Sequence, residues 1–318
     1  MIDPQAIPAT LFEFQDRFST EEECERFLFA WRWPQGFRCP RCSGSDHLKL
    51  AHRRQYQCRN CRYQVSITAG TVMQDTKLKL RVWFWAMFLV ARHKKSISAL
   101  QLQRDLALGS YRTAWALLQK IRNCFDESSD YPLKGVVEVD ETLVGAKGKG
   151  AQTGKRLGNK AIVVAAIELG EGTRRGHRWQ SVRAQKVPDY KGVTLRGFVK
   201  DAVDPESTLL IDGWQSYNKL EEDGFTLERF VSSSMNKAEM RAANPMPHIH
   251  LFFSNLKTWI TGRFHGVSQK YLQNYINEFV YRLNRRRTPP QIFGWVARRL
   301  MQADPCTLMN ITSNETSA

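Results

Sequence analysis

The chain has 318 residues, 42% of them apolar, with 47 Lys plus Arg against 31 Asp plus Glu, a formal net charge of +16. That length is enough for two or three folding units with their own cores. The charge argues against a neutral or acidic surface and points to a polyanionic partner. No apolar run approaches the ~18–20 residues of a membrane span; the stretch Val82 to Ala91 is far shorter and reads as a buried helix. The first residues lack a basic-then-apolar leader, so a cytoplasmic location with no membrane contact is expected.

In chain order, residues 1–35 read as a helical N-terminal segment. Ser19-Thr20 followed by Glu21, Glu22 and Glu23 is an N-cap with first-turn acids, and Phe27, Leu28 and Trp31 then supply an apolar stripe that Pro34 and Gly36 end. Residues 36–70 hold two C-x2-C knuckles, Cys39/Cys42 and Cys58/Cys61, with 15 residues between them. This spacing suits one structural Zn2+ in a four-thiolate tetrahedron, and the alternation of HLKLAHRRQYQC between the knuckles suits the short hairpin of a zinc ribbon. Disulfides are the other reading, which a reducing cytosol disfavours. Arg38, Arg41, Arg53, Arg54, Arg59 and Arg62 surround the knuckles, which fits either nucleic-acid docking or a ribbon with a purely structural role.

Residues 75–127 are helical in pattern. Trp83, Phe84, Met87, Phe88 and Ala91 make one apolar face. Ser98 starts a short helix, Gly109-Ser110 a turn, and Ala114, Trp115, Leu118 and Ile121 mark a second helix. A helix–turn–helix would aim Tyr111, Arg112 and Thr113 at a major groove; a generic helical hairpin has the same periodicity.

Residues 133–300 form the largest expected domain. VVEVDET and STLLIDGWQ read as buried strands, each ending in an aspartate, Asp140 and Asp212. A strand-end carboxylate is costly to desolvate without a cationic neighbour. Two of them on one sheet can share divalent ions, the arrangement that cuts and joins phosphodiesters; turn capping is the alternative. Between them lies GAKGKGAQTGKRLGNK (145–160), not a Walker loop. It reads as a basic loop whose Lys147, Lys149, Lys155 and Arg156 close over a phosphate backbone, or as a hairpin tip. KAIVVAAIEL and HRWQSVRAQKV are further strands, TLRGFVKDAV is a helix, and Gly213 to Tyr217 leads into another. The order βββαβα implies a mixed sheet flanked by helices. Two helices follow, over 248–266 and 268–287; the second ends in Arg285, Arg286 and Arg287, which suits both a helix C-terminus and phosphate. Residues 301–318 read as a frayed tail.

Taken together, the C-x2-C pair, VEVDET, LIDGW and HLFFSNLKTW…FHGVSQKYLQNYINEFVYRLNRR resemble the ISXO-like bacterial insertion-sequence transposases of the DDE superfamily, over residues 15–290. The resemblance implies an α/β chain: an RNase H-like mixed-sheet catalytic core preceded by a small zinc ribbon and a helix-turn-helix-like domain. It makes Asp140 and Asp212 the first two ligands of a pair of Mg2+ (or Mn2+) ions and Asn255 the third, where many DDE enzymes carry Glu. Glu278 is the competing carboxylate, with a surface i,i+4 pair to Arg282 as its other reading. Glu141 is expected on the opposite sheet face from Asp140. Lys257 and Arg263, near Asn255, are candidates for the DNA backbone; His248, His250 and His265 are candidates to position water or phosphate, although packed or exposed histidines are commoner. The implied activity is hydrolysis at the ends of an element and attack of the freed 3′-OH on target double-stranded DNA, by a homo-oligomer that pairs two ends. The rival readings are a zinc-ribbon DNA-binding regulator without catalysis, a nuclease with the same core and no strand transfer, and an inactive relic.

Overall fold

The computed structural model describes residues 7–50, 54–93, 95–127, 131–145, 160–173, 176–213, 217, 219–230, 246–287 and 292–313. By its internal contacts the chain divides into two compact units, Met1–Phe125 with Arg287–Ala318, and Asp126–Arg286.

The first unit opens with two short helices, α1 (Leu11–Arg17) and α2 (Glu21–Arg32). Each starts with a capping box: the Thr10 and Thr20 hydroxyls accept the N–H groups of Glu13 and Glu23, whose carboxylates reach back to the cap N–H. The hairpin expected between the knuckles is present as β1 (His47–Leu50) and β2 (Gln55–Cys58), antiparallel with His47 opposite Cys58, and β3 (Gln64–Ser66) adds a third strand. Helices α3 (Leu80–Arg92), α4 (Ala99–Asp105) and α5 (Tyr111–Asn123) follow. Lys79, at the N-cap of α3, offers no side-chain acceptor; the Glu21 carboxylate supplies one from α2, accepting the N–H groups of Leu80 and Arg81 at 2.9 Å each.

The remaining helices of this unit are α9 and α10 in chain order, α9 spanning Ile292–Gln302 and α10 Leu308–Ser313. The stretch 292–300, read from sequence as the end of the catalytic domain, packs on α3. Phe293 is 1% exposed and its ring lies within 5.5–6.3 Å of those of Phe14, Phe18, Phe84 and Phe88. Residues 308–313, expected to be frayed, form a helical turn.

The second unit is one five-stranded sheet with helices on both faces. Its strands are β4 (Val136–Val144), β5 (Ala161–Thr173), β6 (Gly176–Val187), β7 (Thr208–Asp212) and β8 (Thr226–Phe230), in the order β6-β5-β4-β7-β8. The first three run antiparallel, whereas β7 and β8 continue parallel to β4. Helix α6 (Gly192–Ala202) buries Leu195, Phe198 and Val199 against Val137, Val139, Leu209 and Ile211. The opposite face is covered by α7 (Pro247–Phe264) and α8 (Leu272–Asn284), whose Ile249, Phe252, Leu256 and Ile276 pack on Val163, Ala165 and Leu210.

The first five elements of the expected βββαβα order are present, but β8 was not anticipated. The helix expected after Asp212 is absent from the described residues there: Glu221–Asp223 is one 3-10 turn before the chain returns as β8. Of its five residues only Leu227 is half-buried and the rest are exposed, so this edge strand carries no apolar alternation to read.

The other edge, β6, is closed by side chains of α8 and the residues just after it. Asn284 accepts from the Val182 N–H at 2.9 Å and donates to its carbonyl at 3.1 Å; Gln273 accepts from the Lys186 N–H at 2.7 Å; Arg286 donates to the Trp179 carbonyl at 2.7 Å. Arg285 ion-pairs with buried Glu127 and stacks on Tyr281. The reading of Arg285 and Arg286 as phosphate contacts is therefore corrected: both guanidinium groups are bonded within the fold.

Candidate active site

Two neighbouring strands set Asp140 and Asp212 level on one face of the sheet; Asp212 ends β7 as expected, whereas Asp140 is the fifth of the nine residues of β4, inside the strand and not at its end. Val136, Val137 and Glu138 pair with Thr208, Leu209 and Leu210. Carried two residues on, the same offset sets Asp140 level with Asp212, on strands ~4.8 Å apart. Their even-numbered neighbours Val136, Val144 and Leu210 face the α7 and α8 side; both carboxylates share that face because side chains alternate along a strand.

The electrostatic cost of burial falls on Asp140 and its neighbour Glu141. Burial pushes Asp140 up to about 6; the Glu141 N–H opposes this, the Asp212 charge adds to it, and Lys257 opposes it. Glu141 projects to the other face, as its parity requires, where the Tyr217 hydroxyl donates to it. Burial raises Glu141 to about 7, with the hydrogen bond opposing and the charges of Asp140 and Asp212 reinforcing. A divalent cation between Asp140 and Asp212 offsets this desolvation and repulsion, and two hard carboxylates suit Mg2+ or Mn2+.

Helix α7 lies over this part of β4 and meets it at three successive residues of one face. Glu138 binds His248 and the Ile249 N–H, Asp140 faces His250 with Oδ2 to Nε2 at 3.6 Å, and the Thr142 hydroxyl accepts from Lys257 Nζ at 2.7 Å. His250 and Lys257 are seven residues apart and so share a stripe of the helix. Asn255 lies ~140° around the helix from His250 at ~100° per residue, and it is exposed. The α7 side chain with a recorded contact to Asp140 is that of His250. Arg263 is half-buried in the last turn of α7, and His265 ends the helix in the left-handed region with φ of 56°. Glu278 is fully buried in α8, not on the surface as the sequence suggested; burial lowers the pKa of half-buried Arg282 and the Glu278 charge opposes this.

In the first unit the four cysteines converge. Their sulfur atoms all lie within 4.8 Å of one another, with Cys39–Cys61 at 3.6 Å and Cys42–Cys58 at 3.5 Å. A tetrahedron with ~2.3 Å Zn–S bonds has an edge of ~3.8 Å, so the cluster fits a structural zinc. The two knuckles share one turn: Ser43 and Arg62 both take φ of 58° and donate at 2.9 Å to the carbonyls of Cys39 and Cys58. Arg54 faces Glu21 at 3.5 Å. Arg112 is exposed at the start of α5, where the Ser110 hydroxyl caps the helix. Arg53, Lys147, Lys149, Lys155 and Arg156 lie outside the described residues. No helix among the described residues is long and apolar enough to cross a membrane.

Comparison with known families gives two matches along the chain. Residues 132–284 match the ISXO2-like transposase domain and residues 19–64 the transposase zinc-ribbon domain. The chain is also 25% identical over 293 residues, 86% of its own length and 94% of the relative's, to an uncharacterized protein in transposable element ISH50 of Halobacterium salinarum. Both transposase domains, in this order on one chain, indicate an insertion-sequence transposase similar to the ISXO2-like family.

Proposed function

We propose that this transposase hydrolyses phosphodiesters at the ends of its element and joins the freed 3′-OH to target DNA at the site formed by Asp140, Asp212 and His250. The alignment of the two aspartates on parallel strands under α7 carries the reading. The sheet order β6-β5-β4-β7-β8, with the first carboxylate on the central strand, supports an RNase H-like core.

Asp140 and Asp212 would hold Mg2+ or Mn2+, with His250 beside them on α7. When bound, a pair of such ions activates water and stabilises the attacking and leaving oxygens of an in-line displacement. The protein's own groups do the rest. Lys257, fixed by Thr142, places a positive charge beside the carboxylates where a scissile phosphate would lie. The His250 imidazole, beside Asp140, is set to orient an attacking water or 3′-OH. The Tyr217–Glu141 hydrogen bond ties the segment after Asp212 to β4.

The ribbon, with exposed Arg38, Arg41, Arg59 and Arg62, and the start of α5, with exposed Tyr111 and Arg112, supply element-end recognition of double-stranded DNA. Joining two ends calls for a homo-oligomer, and the reaction belongs at the nucleoid of a cytoplasm. The test is incubation of labelled element-end DNA with Mg2+ or Mn2+. Wild type yields cleaved and joined products, and Asp140→Asn or Asp212→Asn yields neither. End binding without chemistry would leave a DNA-binding protein, and cleavage without joining would leave a nuclease.

A further inference from the structure

We propose that Glu138 is a positioning residue: its buried carboxylate anchors the first turn of α7 and holds that helix in the register that turns His250 toward Asp140 and Lys257 toward Thr142. The proposal rests on the active-site reading above for its catalytic consequence, though not for its geometry.

A helix begins with N–H groups that have no partner within it. Helix α7 starts at Pro247, and Met246 at its N-cap makes no side-chain cap hydrogen bond. Glu138, 1% exposed on the central strand, fills that role from outside. Its Oε2 accepts from the Ile249 N–H at 2.7 Å, and its Oε1 lies 2.8 Å from Nδ1 of His248. A carboxylate buried this deeply is strongly disfavoured unless its oxygens are bonded, and a helix N-terminus favours an anion. The attachment is therefore specific in register: no other turn of α7 presents free N–H groups.

Register matters because the catalytic stripe is narrow. One residue of screw turns a helix by ~100° and moves it ~1.5 Å, enough to swing His250 off Asp140. The apolar side of α7 (Ile249, Phe252, Phe253, Leu256 and Ile260) fixes which face is buried but distinguishes small rotations poorly, since its contacts are non-directional. Glu138, Asp140 and Thr142 alternate along β4, so the anchor, the carboxylate and the lysine's partner are set by a single strand.

The test uses full-length zinc-loaded protein without added Mg2+ or Mn2+, selectively 15N-labelled at histidine. Asp140→Asn in the wild-type background should shift the His250 imidazole resonances. In Glu138→Leu that response should vanish, while melting curves show the chain folded. Glu138→Gln should retain it, because the amide keeps an acceptor for the Ile249 N–H and a donor for the other tautomer of His248. His248→Ala, at a partly exposed side chain and so tolerant of change, should weaken the response and provides the test if Glu138→Leu does not fold. In parallel, the Mn2+ concentration for half-maximal cleavage should rise at least ~10-fold in Glu138→Leu, the scale of lost ligand support, and stay near wild type in Glu138→Gln. An undiminished His250 response in folded Glu138→Leu, or in His248→Ala, would overturn the proposal, as would a Gln variant as impaired as Leu. If wild type shows no metal-dependent cleavage while the imidazole responses behave as expected, the catalytic reading fails and the positioning role stands.

Discussion

His250 faces Asp140 across the gap between α7 and the central strand, with Nε2 3.6 Å from Oδ2, and Asn255 lies five residues further along the same helix, ~140° around its axis. The two residues therefore separate by substitution. His250→Ala should lower the rate of metal-dependent end cleavage by ~100-fold or more, the upper range for a positioned acid–base or orienting group. Asn255→Ala should leave the rate near wild type and change stability by no more than ~0.5 kcal/mol, as expected of an exposed site. Single-turnover cleavage beside thermal melts checks both.

The carboxylate cluster predicts an unusual pH dependence for the protein without Mg2+ or Mn2+. Asp140 is raised in the fold from 3.8 to about 6, so the native state holds a proton that the unfolded chain has released. Stability of the zinc-loaded protein without Mg2+ or Mn2+ should fall as pH rises from about 4 to above 6, by at most ~3 kcal/mol at ~1.4 kcal/mol per unit. Asp140→Asn should remove much of that slope, and added Mn2+ should restore stability at pH 7.5. Denaturant melts across this range, with and without added Mn2+, measure it.

Removing the zinc should unfold the ribbon. Binding free energies for structural Zn2+ are of order 10 kcal/mol, and the hairpin between the knuckles has few buried side chains of its own, Tyr56 among them. Cys58→Ser should bind less than one zinc per chain and expose Trp33, which is 8% exposed in the fold. Metal analysis and tryptophan emission check this, with the red shift reversed on zinc return for wild type only.

Arg112 and Arg285 should behave oppositely. Arg112 is exposed at the N-terminus of α5; Arg112→Ala should weaken DNA binding and reduce the slope of log K against log salt by ~0.9. Arg285 neutralises buried Glu127, and Arg285→Ala should destabilise the fold by ~3–5 kcal/mol by leaving that charge unpaired. Salt-dependent binding isotherms and denaturant melts distinguish the two arginines.

Phe293→Ala should destabilise the first unit by ~3–5 kcal/mol, the range for an emptied aromatic site in a core. The residue comes from the far end of the chain yet sits among the rings of Phe14, Phe18, Phe84 and Phe88. Fluorescence-detected melts of the variant should show the loss.

Features with a strong local signature were legible in the sequence. The knuckle spacing anticipated the four-sulfur cluster, and the runs ending in Asp140 and Asp212 anticipated two strands of one sheet. What escaped depended on three-dimensional partners. β8 has almost no buried side chain and shows no alternation. Arg285 and Arg286 look like a phosphate-binding run until Glu127 and the Trp179 carbonyl are seen beside them. On α7, Asn255 and His250 are both polar, and only the helix's rotation over β4 tells which one faces the carboxylates.

The most direct test of the site is a crystal structure of the protein with Mn2+, using the metal's anomalous signal. The account predicts density bonded to carboxylate oxygens of both Asp140 and Asp212, with His250 as its nearest side chain on α7. An anomalous peak held by Asn255 or Glu278, or none at the two aspartates under conditions where the protein cleaves DNA, would contradict it.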